Sequence, residues 1–147
     1  MTRKVLTKIK NELLGVWYKV TIKEQNGIKY FYCKNVLQSI DPPTAHFGYS
    51  CWSMMIPPFK PGSVLILGYG GGALAKLIKL VWGQDIEIWG VDLKLYASNY
   101  KPDKLHLADA KQFVFQLDRK FDYVVIDVFE GGVISDFVFE NTFIKKI

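Results

Sequence analysis

Val64-Leu65-Ile66-Leu67-Gly68-Tyr69-Gly70-Gly71-Gly72 decides the fold of this chain. Four apolar residues run straight into four glycines within five positions. Beyond them Leu74, Leu77, Ile78 and Val81 recur at i, i+3, i+4 and i+7, the spacing of one helix face. Strand, glycine loop and helix together predict the first turn of a nucleotide-binding α/β sheet. The chain must reverse sharply there, and a ligand approaches the backbone more closely than a Cβ allows. Glycine spacing alone is a weak signal. It gains weight because Asp92, Asp109 and Asp127 each end a later apolar segment.

Downstream, the pattern predicts a helix over 73–82 capped by Gly83 and a strand over 86–91. A strand over 105–108, a helix over 110–117, a strand over 122–126 and a helix over about 136–146 follow. Upstream, Val5, Leu6, Ile9 and Leu13 predict a short amphipathic helix over residues 3–14, stopped at Gly15. Val16, Tyr18, Val20 and Ile22 then alternate with Trp17, Lys19, Thr21 and Lys23, a half-buried strand. Asn26-Gly27 supplies a tight hairpin turn, the return strand is 28–33, and 35–40 forms a further short strand. Asp41-Pro42-Pro43 breaks the run, and a short helix is expected over 49–55. Residues 1–56 therefore carry a helix, an antiparallel β unit and a tyrosine-bearing helix. Residues 57–147 form a Rossmann-like, mostly parallel and shortened α/β nucleoside-binding domain, the whole making one compact unit.

At 147 residues the chain is one domain's worth, and with 50% hydrophobic and 15% aromatic residues it is no disordered segment. No apolar run reaches the ~18 residues of a membrane span, and the N-terminus lacks a signal peptide's apolar stretch. A soluble cytoplasmic protein is the expectation. The net charge of +5 sits mostly in Arg3, Lys4, Lys8, Lys10, Lys145 and Lys146; removing these six leaves 5 − 6 = −1 for the body. The terminal lysines therefore read as a solvated helix face, and nucleic acid is not the expected partner. Cys33, Cys51, His46 and His106 have no metal-ligand spacing, so no metal site is expected and the cysteines read as free thiols.

Each acid has a structural and a functional reading. Asp92, 20 residues after Gly72, can accept both hydroxyls of a ribose or can cap a helix. Asp109 can accept from an adenine amine, can be the N-cap of the next helix, or both. Asp127 faces the crevice at the strand ends, with Glu130 three residues on. That pair suits a cationic or amine acceptor, with Asp127 as base; the alternative is a loop acid without a partner. Gly68-x-Gly70-x-x-Ala73 with Asp92 also meets the dinucleotide fingerprint. Against NAD, a β unit and a tyrosine-rich helix precede the fingerprint strand, and dinucleotide binding leaves Asp109 and Asp127 unexplained.

The order of features is β unit, Gln38, Tyr49-Ser50-Cys51-Trp52-Ser53-Met54-Met55, the glycine stretch, Asp92, Ala108-Asp109-Ala110, Phe121 to Asp127, and Phe143. This order resembles the spermidine synthase-like branch of the class I S-adenosylmethionine-dependent methyltransferase superfamily, from about Val16 to the C-terminus. The resemblance implies S-adenosylmethionine or its decarboxylated analogue as cofactor, with Gly68, Gly70 and Gly72 at the ligand, Asp92 at the ribose and Asp109 at the adenine. It further implies Gln38 and Tyr49 lining the pocket, Asp127 as base or amine binder, and a small-molecule acceptor, with Glu130 a further acceptor-side acid. The chain departs from the family where Tyr-x-Glu reads Tyr49-Ser50-Cys51 and Asp-Ser-x-Asp-Pro reads Asp127-Val128-Phe129-Glu130-Gly131. It also shows a short 93–108 connection and lacks the family's last three strands. Methyl transfer, aminopropyl transfer and a non-catalytic adenosine-ligand binder all stay open. The apolar run Tyr123 to Ile126 is expected at a bare sheet edge, and hence a homodimer with that edge at or near its interface.

Overall fold

The computed structural model describes residues 3–10, 17–33, 35–46, 48, 50–94, 100–130 and 132–147. Its N-terminal part is an antiparallel sheet of four strands, β1 (Arg3–Lys10), β2 (Trp17–Gln25), β3 (Ile28–Cys33) and β4 (Val36–Asp41), in that spatial order. The hairpin turn between β2 and β3 is the expected one. Asn26 and Gly27 have φ of 52° and 76°, the pair of positive angles a two-residue turn needs.

The expected helix over 3–14 is overturned: its described residues are strand β1, paired with β2 from Arg3↔Glu24 to Lys10↔Trp17. Val5, Thr7 and Ile9 are β-branched and alternate with Lys4, Leu6, Lys8 and Lys10. A helix that short is marginal alone, while β2 offers a ready ladder to residues that favour strands. Long-range pairing won over a local pattern that fitted both periods.

A 3₁₀ turn (Pro43–His46) and a single-turn helix α1 (Cys51–Met54), shorter than the 49–55 expected, lead into the second sheet. That sheet consists of β5 (Ser63–Leu67), β6 (Glu87–Asp92), β7 (Lys104–Leu107) and β8 (Tyr123–Ile126), all parallel, in the order β7-β6-β5-β8. Helices α2 (Ala73–Trp82) and α3 (Ala110–Gln116) fall within one residue of expectation, and Gly83 closes α2. The protein is thus α/β, with a parallel sheet compatible with a Rossmann-like arrangement.

Strand β5 explains why its sequence is uniformly apolar. Val64 and Ile66 pack with Leu74, Leu77 and Ile78 of α2, whereas Leu65 and Leu67 pack on the other face with Val114 of α3 and Phe143. A strand covered on both faces has no polar side.

The C-terminal segment departs from expectation in two ways. A hairpin of β9 (Phe129–Glu130) and β10 (Val133–Ile134) intervenes, and the expected helix over 136–146 is a 3₁₀ turn (Asp136–Phe139) followed by helix α4 (Asn141–Lys146). The break at Glu140 has a packing cause. Phe137 and Phe143 stack edge to face with centroids 4.9 Å apart. Six residues along an unbroken helix they would point about 120° apart. Among the described residues, no helix is long and apolar enough to cross a membrane.

Candidate functional site

The site follows from sheet register. Leu67, last residue of β5, lies opposite Val91 of β6 and Ile126 of β8. The next residue on each flanking strand is an acid, so Asp92 and Asp127 bracket Gly68 at the C-terminal ends of the strands. Open α/β sheets bind ligands at this end.

The glycine loop is held by its own backbone and by its neighbours. The Gly68 and Tyr69 amides both donate to the Val91 carbonyl (2.9 and 3.1 Å), and Gly72 N–H donates to Tyr69 O (3.1 Å). Gly70 N–H donates to Asp92 Oδ2 at 2.8 Å, while Asp92 Oδ1 accepts the Lys94 amide at 3.0 Å. Gly68 and Gly70 have φ of 84° and 56°, angles that a side chain would strain. A Cβ on Gly68 would stand 2.1 Å from the Asp127 carbonyl oxygen, and one on Gly70 would stand 3.1 Å from the Gln38 carbonyl oxygen. Gly71 lies against Ser39 and Gly72 against Tyr100. These glycines therefore admit protein close to the loop, a requirement the sequence had suggested only for a ligand.

Tyr69, the one side chain in the loop, is buried. Its ring lies over Gly90 of β6, where a Cβ would come within 2.4 Å of Cδ2, and its hydroxyl donates to the Tyr100 carbonyl (2.8 Å). Burial pushes the phenol pKa far above its ordinary value, aided by the charge of Asp103. The Tyr100 hydroxyl in turn donates to Asp41 Oδ1 at 2.6 Å, and burial and that carboxylate raise its pKa to about 12. These contacts tie the loop to β4. An aromatic residue between two glycines was the available signal, and Gly90, within a strand, was its counterpart.

Asp127 is strongly perturbed at this end of the sheet. Burial raises its pKa to about 6, the nearby Asp92 charge adds to the rise, and a hydrogen bond from the Trp52 side chain opposes it. Burial likewise pushes Asp92 up, against its bonds from the Gly70 and Lys94 amides and the Lys94 charge. Helix α1 delivers Trp52. Ser50 caps it, accepting the Ser53 amide, and the Ser53 hydroxyl accepts Gly48 N–H at 3.0 Å. Cys51 on the same turn is exposed overall, and its thiol pKa rises through partial desolvation first and the Asp127 charge second. Asp92, Asp127, Trp52 and Cys51 thus interact around the glycine loop. Sequence reading had assigned Trp52 and Cys51 no role of their own.

The other expected site residues are placed less centrally. Asp109 fills the capping role, accepting the Gln112 amide at 2.9 Å. Gln38 borders Gly70 through its backbone carbonyl, and its side-chain amide donates to Val36 O at 3.4 Å. Glu130 is exposed on β9, opposite Val133. Tyr49 lies outside the described residues. No protein-family model matches the chain, and no curated protein matches its sequence.

A carboxyl raised from 3.8 to about 6 binds its proton more tightly in the folded state. Its contribution to stability is full below about pH 4 and is lost as pH rises through about 6. Asp127→Asn should therefore stabilise the protein at pH 7.5 by about 1–3 kcal/mol and leave it nearly unchanged at pH 4. Urea denaturation at the two pH values measures this. Equal stabilities at pH 7.5 would contradict the raised carboxyl.

Proposed function

We propose that the chain is a Rossmann-like protein of the class I methyltransferase type. It binds S-adenosylmethionine or its decarboxylated analogue and transfers a methyl or aminopropyl group to a small acceptor. The observation that carries this reading is the pairing of two carboxylates with a glycine loop whose amides are already engaged. The N–H groups of Gly68, Tyr69, Gly70 and Gly72 all have acceptors within the protein. A pyrophosphate needs such groups free, and it would also meet Asp92 and Asp127. That disfavours NAD. A nucleoside sulfonium carries positive charge and no phosphate, and the acid pair suits it.

In this reading Asp92 accepts from the ribose while keeping the Gly70 amide, since each carboxylate oxygen has more than one lone-pair site. Asp109 stands at the end of β7, where the adenine would lie. Gln38 and Tyr49 would line the pocket. The bound sulfonium supplies the leaving group. What remains for the protein is to align the acceptor and take its proton. Asp127, with a pKa of about 6, is suited to that as base, and Glu130 could assist with a cationic acceptor. The non-catalytic alternative keeps the same ligand pocket without transfer.

Calorimetry tests the reading. At pH 7.5, decarboxylated S-adenosylmethionine should bind at least about tenfold more tightly than neutral methylthioadenosine, a difference of about 1.4 kcal/mol. NAD should bind more weakly than either. The preference for the cation should shrink at pH 5, as Asp127 takes up its proton. Asp92→Asn, which can still accept the Gly70 amide, should reduce the preference at pH 7.5. Equal affinity for cation and neutral nucleoside, or tightest binding of NAD, would overturn the assignment.

We also propose a homodimer meeting at or near β8. That strand is at the edge of the parallel sheet, and Ile126 on it is 37% exposed, as is Phe129 beyond it at 52%. Uncovered apolar edges invite pairing. Light scattering at micromolar concentration should give twice the chain mass; the mass of one chain would count against it.

A further inference from the structure

Recognising β1 as a strand changes what its lysines do. The β1–β2 register sets Lys4 opposite Lys23 and Lys8 opposite Lys19. By alternation these four share one face of the sheet with Lys10. Across β2 and β3, Thr21 pairs with Tyr32 and Lys23 with Tyr30, so both tyrosines belong to that face. Glu24 and Asp41, the acids within these four strands, are both in register with Lys29 and fall on the opposite face. Ser39, which abuts Gly71, is on that opposite face too, opposite Phe31. Tyr30 and Ile40 are drawn into the core. The basic area is therefore β1, β2 and Tyr32, apart from the nucleoside site.

Like charges directly opposite on neighbouring strands destabilise a sheet, and this face carries two such pairs. Lysines on an edge strand commonly serve to block edge-to-edge aggregation, which accounts for β1. It does not account for Lys19 and Lys23, because β2 is an interior strand between β1 and β3. Aromatic surface lies among the charges. The Lys23 ammonium sits 4.8 Å from the centroid of the Tyr32 ring, and Thr21, Lys23, Tyr32 and Asn35 line a shallow depression.

We infer that this face of the N-terminal sheet binds single-stranded nucleic acid. The lysines match a phosphate backbone in charge. Tyr32 offers a ring on which an unpaired base can stack, a contact that tolerates any sequence because every base has a π face. A duplex hides its base faces and is read by elements that enter a groove, which a sheet face does not do. An anionic lipid surface would also satisfy the lysines, and binding to vesicles in place of oligonucleotides is the outcome that separates it.

Fluorescence anisotropy of the whole protein with labelled 12-nucleotide oligouridylate and oligothymidylate, at about 50 and 200 mM salt, tests this. Binding should weaken steeply with salt. Lys19→Gln combined with Lys23→Gln should lower affinity at least about tenfold at the lower salt and flatten the salt dependence by about two contacts. Lys145→Gln with Lys146→Gln, which removes the same charge from the last turn of α4, should change affinity less than about twofold. If the sheet double variant does not fold, Lys8→Gln alone, which relieves one like-charge pair, should still cost several-fold. No binding at the lower salt, equal losses from both pairs, an unaffected Lys8→Gln, or binding to phosphatidylserine vesicles but not to either oligonucleotide would overturn the inference.

Discussion

The bond from the Gly70 amide to Asp92 holds the glycine loop in place at the C-terminal ends of the parallel strands. It joins the loop after β5 to the last residue of β6, and the second Asp92 oxygen takes the Lys94 amide. With the loop fixed, Gly68 lies against the Asp127 carbonyl and Gly71 against Ser39. Strands from both sheets therefore converge on five residues. A carboxylate held this way is stabilised as an anion by its donors, yet burial still pushes its pKa up. Beside it Asp127, raised first by its own burial and further by the Asp92 charge, has a pKa of about 6.

That arrangement opposes stability. Two partly buried acids within each other's field weaken the native state at neutral pH, and hydrophobic packing must offset the loss. The packing is extensive around β5, whose residues Val64 to Leu67 are almost fully buried between α2 on one side and α3 with Phe143 on the other. A rigid centre carrying unfavourable electrostatics at its rim is the distribution expected where a site works at the cost of stability.

The parts legible in the sequence were those set by local physics. Asn26-Gly27 declared its turn through backbone angles, and β5, α2 and Gly83 through apolar spacing and glycine placement. What failed depended on distant partners. Residues 3–10 fitted both a helical and an alternating pattern, and pairing with β2 decided between them. The break at Glu140 came from the joint packing of Phe137 and Phe143. At the site, the three aspartates were visible as strand ends, but the closeness of Asp92 to Asp127 required β5 to lie between β6 and β8. The capping role of Asp109 was one of its two readings. The parts played by Tyr69, Gly90 and Trp52 depended on cross-sheet packing.

Asp92 and Asp127 interact electrostatically at the glycine loop, and the proposed cation site rests on that pair. Carbon-detected NMR titration of the aspartate carboxyls tests it most directly. In the free protein Asp127 should titrate with a midpoint near about 6, and that midpoint should fall in the Asp92→Asn variant, where the neighbouring charge is gone. An Asp127 midpoint near the ordinary aspartate value of about 3.9, or one indifferent to Asp92, would contradict the account.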